Sequence, residues 1–431
     1  MAHATPHAFD VVRSLTDEVG PRSAGSPGDK VAVAWAARTM AAVGLKHVRT
    51  EPVTITYWAR GEEAGKIVSP VEQKLSLTAL GGSVGTTGLQ ADVVEFDSLD
   101  ALAKADPARV SGKIVFLDTP MHRARDGADY GRVVGGRSMG AVTASRLGAV
   151  GLVIRSVGTD TNRLPHTGAM RPADIPAAAL AIPDAELLHR LVAAGRPVRI
   201  ALTLGARIVG DAESANVVGE LVGRDLPGDI VLLGAHLDSW DLGTGAVDDG
   251  AGCAIVLEAA RLIAARPRPP RRTVRVVLFA NEEHGLSGAS AYARAHEAEV
   301  AHHVAALEAD LGAGRVYEVR ILGGANAGLL RASIASHSAS LGVTADAGDT
   351  GGGADLGPLR ELGVPVVELS QDATTYFDFH HTANDTLDKI EPTALEEAAV
   401  AFASTAYELA DTTVDLGRVP EDRRNPSKPR W

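Results

Sequence analysis

The spacing of hydrophobic positions changes character along the chain. Between residues 8 and 45, apolar side chains return at helical intervals: Phe9, Val12 and Leu15, then Val31, Val33, Ala37, Met40 and Val43. The turn-like stretch from Gly20-Pro21 to Gly25-Ser26-Pro27 divides them, so two helices are predicted. From about 48 to 90, alternation in Val53-Thr54-Ile55-Thr56-Tyr57 and Leu75-Ser76-Leu77 predicts strands joined by polar turns around Gly61 to Lys66. Between roughly 80 and 205, short strands (Val93-Val94, Lys113 to Leu117, Gly151 to Ile154, Val198 to Leu202) alternate with one Ala/Gly-rich helix at about Ser138 to Leu147. This texture predicts a small β-rich module inserted into a larger domain.

After about 210 the pattern becomes regular. Apolar runs at Ile230 to Ala235, Val274 to Phe279, Val304 to Leu307 and Val364 to Leu369 alternate with predicted helices over Gly250 to Ala265, Ser287 to Ala298, Gly328 to Leu341 and Pro392 to Ala410. Buried runs alternating with amphipathic helices predict an α/β fold, with a mixed, largely parallel sheet sandwiched by helices. The tail after Arg418 is predicted to be a loose surface segment.

Composition narrows the function. The 431 residues suggest two or three domains, and 42 Lys and Arg against 54 Asp and Glu give a formal charge of −12. No basic block supplies the electrostatic footprint of a nucleic-acid binder. No apolar run approaches the roughly 18 to 20 residues of a bilayer span, so no membrane association is expected. Met1 to Asp10 has neither a basic n-region nor an apolar h-region, so the chain as it stands shows no secretory signal, and a mature form with its signal removed would look the same. The single cysteine, Cys253, rules out an intrachain disulfide and a thiolate zinc site, leaving histidines and carboxylates as the available metal ligands.

Those ligands fall at strand ends. The first regular strand runs into His236 and Asp238, the second into Glu282 and Glu283, and the third into Asp310. Ligands in open α/β sheets bind beyond the carboxyl ends of the strands, and three parallel strands would gather these side chains. Val247-Asp248-Asp249-Gly250 adds two carboxylates where a helix begins, and His380-His381 follows the last strand. Histidine with carboxylates and no thiolate suits zinc, with manganese or cobalt in the same geometry. Charge favours two ions: Asp248, Glu283, Asp310 and one hydroxide nearly neutralise two divalent cations, whereas one ion would leave the carboxylates in mutual repulsion.

His236-Leu237-Asp238-Ser239-Trp240, Asp248-Asp249-Gly250-Ala251-Gly252, Asn281-Glu282-Glu283, Glu308-Ala309-Asp310 and His381-Thr382-Ala383-Asn384-Asp385-Thr386 together resemble the co-catalytic di-zinc aminopeptidase and glutamate carboxypeptidase family, above all its carboxypeptidase Q branch. The resemblance covers most of the chain. It implies a catalytic domain of residues 1–75 and 206–431 with a protease-associated domain inserted at 76–205. It implies two zinc ions bridged by Asp248, one held with His236 and Asp310, the other with Glu283 and His381. Glu282 would be the general base acting on a bridging hydroxide, short peptides the substrate, and a homodimer the assembly. It also implies a cis peptide between Asp248 and Asp249 and a Gly351-Gly352-Gly353 loop lining the substrate pocket.

Asp238 can accept the second imidazole N–H of His236, and Asp385 that of His381. Two rivals share this fold: a mononuclear, glutaminyl-cyclase-like acyltransferase, and a receptor-like binding protein that has lost catalysis. The remaining residues have plainer readings. His302-His303 read as solvated turn histidines, His380 as a packing or substrate-side residue, Cys253 as an inert core thiol, and Trp240 and Tyr376 as buried aromatics. Asp248-Asp249 taken alone would be a helix cap. His166 has a place in the inserted module where a substrate role is conceivable.

Overall fold

The structure is a computed structural model and describes residues 7–424; the predicted loose tail lies partly outside the described residues. The described chain forms two compact units. One comprises the N-terminal part up to Ile55, Ala212–Tyr376 and the chain from Asp385; the other comprises Thr56–Asp211 and Phe377–Asn384. The chain opens with helices α1 (His7–Glu18) and α2 (Pro27–Ala42), as the spacing predicts. Ser26 caps α2 by accepting the Asp29 N–H, and Pro27 occupies the first turn, where its missing N–H costs nothing.

Strand β1 (Lys46–Ala59) leads into the second unit. There follow β2 (Glu63–Ser69), β3 (Gln73–Leu75), β4 (Leu77–Ala79), β5 (Thr86–Phe96), the short helices α3 (Leu99–Ala103) and α4 (Pro107–Val110), and β6 (Ile114–Leu117). The unit continues with α5 (Tyr130–Arg146), β7 (Gly151–Arg155), β8 (Ala177–Leu180), α6 (Ile182–Ala193) and β9 (Arg199–Leu204). Its eight-stranded mixed sheet has the order β3-β2-β9-β5-β6-β7-β8-β4. The predicted strand at Leu75-Ser76-Leu77 is broken at Ser76, whose N–H donates to Asp184 at 2.8 Å instead of to a neighbouring strand. Helix α5 begins well before Ser138, because Gly131, Gly135 and Gly136 dilute the helical signal of its first half. Helix α6 has no counterpart among the predicted elements.

Strand β10 (Arg207–Leu221) returns to the first unit. β11 (Leu226–His236), α7 (Ala251–Ala264), β12 (Arg272–Phe279), α8 (Ser287–Ala295), β13 (His303–Glu308), β14 (Val316–Leu322), α9 (Ala327–His337), β15 (Thr344–Ala345), α10 (Gly357–Glu361), β16 (Val366–Gln371) and α11 (Pro392–Asp411) follow. The sheet order is β1-β10-β12-β11-β13-β16-β14-β15. β11 pairs in parallel with both β12 and β13, with His236 opposite Phe279 and Gly234 opposite Glu308. The three strands therefore end level with one another. Every residue of β12 is buried, and Val277, Phe279, Leu232 and Ala306 share one core with Tyr292 of α8 and Leu359 of α10. The second half of β12, Val276 to Phe279, is the continuous apolar run that a sheet covered on both faces requires, and the buried Arg275 is paired with Glu220 and Glu299.

Helix α7 is buried along almost its whole length, and its start is pressed onto the end of β13. A Cβ on Gly252 would stand 2.0 Å from the Ala309 carbonyl oxygen and 2.2 Å from Asp249 Oδ1. Replacing Gly252 by Ala should therefore cost about 1–3 kcal/mol, as overpacking does. Urea unfolding of the metal-free chain measures this, and an unchanged midpoint would show that the contact relaxes freely.

Candidate metal centre

His236 is the last residue of β11, and the level strand ends make it the centre of a carboxylate cluster in the first unit. Its Nε2 lies 3.1 Å from Asp248 Oδ1 and 3.4 Å from Asp310 Oδ1. The three ligand atoms fall within 4.8 Å of one another. The Nδ1 side faces the Asp238 main-chain oxygen at 3.1 Å, with the Asp238 carboxylate further off at 3.7 Å. The imidazole is thus oriented by a carbonyl first and a carboxylate second. Burial alone would lower the His236 pKa, yet Asp310, Asp238 and Asp248 outweigh it and hold the metal-free imidazole well above its ordinary value. Positive charge is what this position demands, and a divalent cation supplies it.

The segment carrying Asp248 is fixed by groups behind it. Asp248 and Asp249 are joined by a cis peptide. Asp249 is fully buried; it accepts the His236 N–H at 3.1 Å through Oδ2 and the Gly252 N–H at 2.9 Å through Oδ1. The helix-cap reading therefore holds for Asp249, leaving the Asp248 carboxylate to meet His236. Asp385 accepts the Val247 N–H at 2.6 Å and the Asp248 N–H at 3.2 Å. It supports the Asp248 backbone, a different task from the imidazole partnership expected for it. Burial, with Asp248 next to it, pushes the Asp385 carboxyl up to about 7.

After β12 the backbone turns sharply through Asn281, a non-glycine residue at φ 59°, held by an Asn281 to Ser287 hydrogen bond of 2.8 Å. This left-handed turn separates Glu282 and Glu283 in direction. The Glu282 N–H donates to Asp238 Oδ1 at 3.0 Å, tying the second strand end to the first. Burial, then Asp310, Glu283 and Asp238, push the Glu282 carboxyl well above the usual range. Glu283 is buried, and its Oε2 accepts the indole N–H of Trp240 at 2.6 Å. Trp240 is more than the buried packing residue expected, since it holds a predicted ligand in place.

At the end of β13, Glu308 lies buried two residues before Asp310 and accepts the N–H groups of Asp355 and Leu356 at 3.2 and 3.3 Å. Burial and Asp310 push its carboxyl up to about 8. Asp355 is itself 1% exposed, and neither carboxylate oxygen has a hydrogen-bond partner among the described residues. One oxygen of Asp238 is likewise buried without one. Orphaned carboxylate oxygens around a single histidine fit a site built for cations.

His381, the fifth predicted ligand, belongs to the second unit. It is buried at φ 63°, with Nδ1 at 3.3 Å from the Thr167 carbonyl and its own carbonyl accepting the Thr167 N–H at 2.9 Å. Its ring stacks on His380 at 3.5 Å. His303 departs from expectation: it starts β13 fully buried, with Nε2 3.0 Å from the Tyr292 hydroxyl, while His302 stays exposed. Cys253 is a core thiol that burial pushes up to about 12. In the second unit His166 is buried against Asp160 at 2.5 Å.

A family profile described as Peptidase family M28 matches residues 216–406, the stretch that carries His236 to His381. Human carboxypeptidase Q is 35% identical over 422 residues, covering 96% of this chain and 88% of that protein. The rat carboxypeptidase Q is 37% identical over 418 residues, covering 95% and 87%. The chain belongs to peptidase family M28. A crystal structure of a peptidase M28 precursor from Shewanella amazonensis SB2B is similar over 96% of this chain and 95% of that one, with 46% identity and a TM-score of 0.94. The zinc aminopeptidase BSAP from Bacillus subtilis has the same mixed α/β fold, at 22% identity and a TM-score of 0.68 over 97% and 98% of the two chains. Among the described residues of this M28 peptidase, no helix is long and apolar enough to cross a membrane.

Sequence reasoning missed the supports in this M28 site. Trp240 acts through a single donor and Asp385 through main-chain N–H groups, which leave no periodic signal. Trp240→Phe keeps the ring and removes the N–H that meets Glu283. Zinc affinity should fall by about 10- to 100-fold, as for other groups that orient a ligand. A competition titration against a chromophoric chelator measures it, and affinity equal to wild type would show that this bond orients nothing.

Proposed function

We propose that this chain is a di-zinc exopeptidase acting on dipeptides or short peptides. The observation that carries the reading is the convergence of three level strand ends with the turn before α7, where ligand atoms of His236, Asp310 and Asp248 fall within 4.8 Å of one another. His236 and Asp310 would hold one ion and Glu283 and His381 the other, with Asp248 available to both. Cobalt or manganese can replace zinc in such a donor set. When bound, the ions supply Lewis acidity, polarising the scissile carbonyl and acidifying water.

The remaining steps belong to the chain. Glu282 takes a proton from the attacking water and returns it to the departing amine. Its backbone N–H is tied to Asp238 Oδ1 at 3.0 Å, which fixes where the base stands beside the first strand end. Asp238 also stands behind His236, so one carboxylate steadies base and ligand together. The catalytic domain is read as residues 1–75 and 206–431, with a protease-associated domain at 76–205, and the pairing of β2 with β3 and β9 supports a start for the inserted domain nearer residue 56. A homodimer is the assembly that the likeness to carboxypeptidase Q supports.

Glu282→Gln separates base from ligand. Hydrolysis of a dipeptide panel should fall by about 10²- to 10⁴-fold with zinc content unchanged. Undiminished turnover would remove Glu282 from the mechanism. A wild-type content of one zinc per chain would favour the mononuclear acyltransferase.

A further inference from the structure

Arg22 follows Gly20-Pro21 in the turn after α1 and has 0% exposure. A buried guanidinium is costly unless its donors are satisfied, and it carries five N–H groups in a fixed planar fork. Here the fork is spent on main-chain carbonyls. Nε donates to Leu237 O at 2.5 Å, Nη1 to Thr244 O at 2.8 Å and Nη2 to Gly245 O at 2.8 Å, while the Arg22 backbone N–H donates to Ser239 Oγ at 3.2 Å. Nη1 also reaches Gly20 O at 3.5 Å.

These acceptors bracket one segment. Leu237 immediately follows His236, and Gly245 stands three residues before Asp248. Arg22 therefore fastens both ends of the loop that separates two of the metal-binding side chains. The space for the fork is set by the backbone: Gly245 is at φ 61°, and a Cβ there would stand 2.7 Å from Arg22 Nη1 and 2.4 Å from Ser239 Cβ. The same loop is held from its other side by Asp385, whose carbonyl accepts the Thr244 N–H at 2.9 Å.

We propose that Arg22 is a positioning residue that sets the His236–Asp248 half of the metal centre in its binding geometry before the metal arrives. The inference rests on the metal-centre reading above. Without such a clamp, the carboxylates gathered at His236 repel one another in the metal-free chain, and ordering the loop would be charged against metal affinity. Lysine cannot fully replace the clamp, because one ammonium nitrogen does not span the three carbonyls that the planar fork reaches.

The test uses the full chain with zinc as the probe. In Arg22→Met, zinc affinity measured by calorimetry should fall by about 10- to 100-fold, with Arg22→Lys between it and wild type. The rise in melting temperature on adding zinc should shrink in the same order. A merely structural arginine would lower the melting temperatures of metal-free and zinc-bound protein alike and leave that rise unchanged. Arg22→Met affinity within about twofold of wild type, or an undiminished zinc-induced rise, overturns the proposal.

If neither variant folds, hydrogen exchange on metal-free wild type decides. Amides of 237–245 protected before zinc is added support the clamp, and amides that become protected only with zinc contradict it. Failure of wild-type chain to bind zinc would count against the metal-centre reading instead, and is seen in the same titration.

Discussion

Like charges brought together away from water are the constraint on which the structure turns. Asp248, Asp310, Glu282 and Glu283 approach one histidine at the ends of three parallel strands, with Asp238, Asp249, Glu308 and Asp355 close behind. In a low-dielectric interior such a group is stable only if protons or cations supply positive charge. In the metal-free chain this crowding pushes the pKa of His236, Glu282 and Glu308 upward. A site that must otherwise hold surplus protons is one in which divalent ions bind well.

The fold meets this constraint in layers. Parallel pairing sets β11, β12 and β13 level at their carboxyl ends, so the candidate ligands arrive from different strands, while the register shifts of β11 fall near its start, between Leu226 and Val231. The intervening loops, which would otherwise yield to the repulsion, are fastened from behind by neutral or cationic groups: the Arg22 fork, the Trp240 indole and main-chain N–H donors to Asp249 and Asp385. Rigid first contacts with oriented supports are what a preformed site requires.

Much of this was legible in the order of residues. The parallel centre of the sheet followed from buried apolar runs alternating with helical spacing, and the meeting of His236 with Asp310 from chemistry placed at the run ends. Both signals are local, and both depend on periods that the backbone imposes. What was not legible depends on contacts between distant segments. Asp385 is four residues from His381 yet holds Val247 and Asp248 more than a hundred residues away, so sequence neighbourhood pointed to the wrong partner. His303 sits where a polar turn residue is expected, but Tyr292 gives its ring a buried partner. The early start of α5 was hidden because Gly131, Gly135 and Gly136 dilute hydrophobic periodicity.

Anomalous diffraction at the zinc edge from crystals of the zinc-loaded chain tests the central claim most directly. The account predicts two peaks with the Asp248 carboxylate between them, one also in contact with His236 and Asp310 and the other with Glu283. A single peak, or zinc bound away from His236, would contradict it.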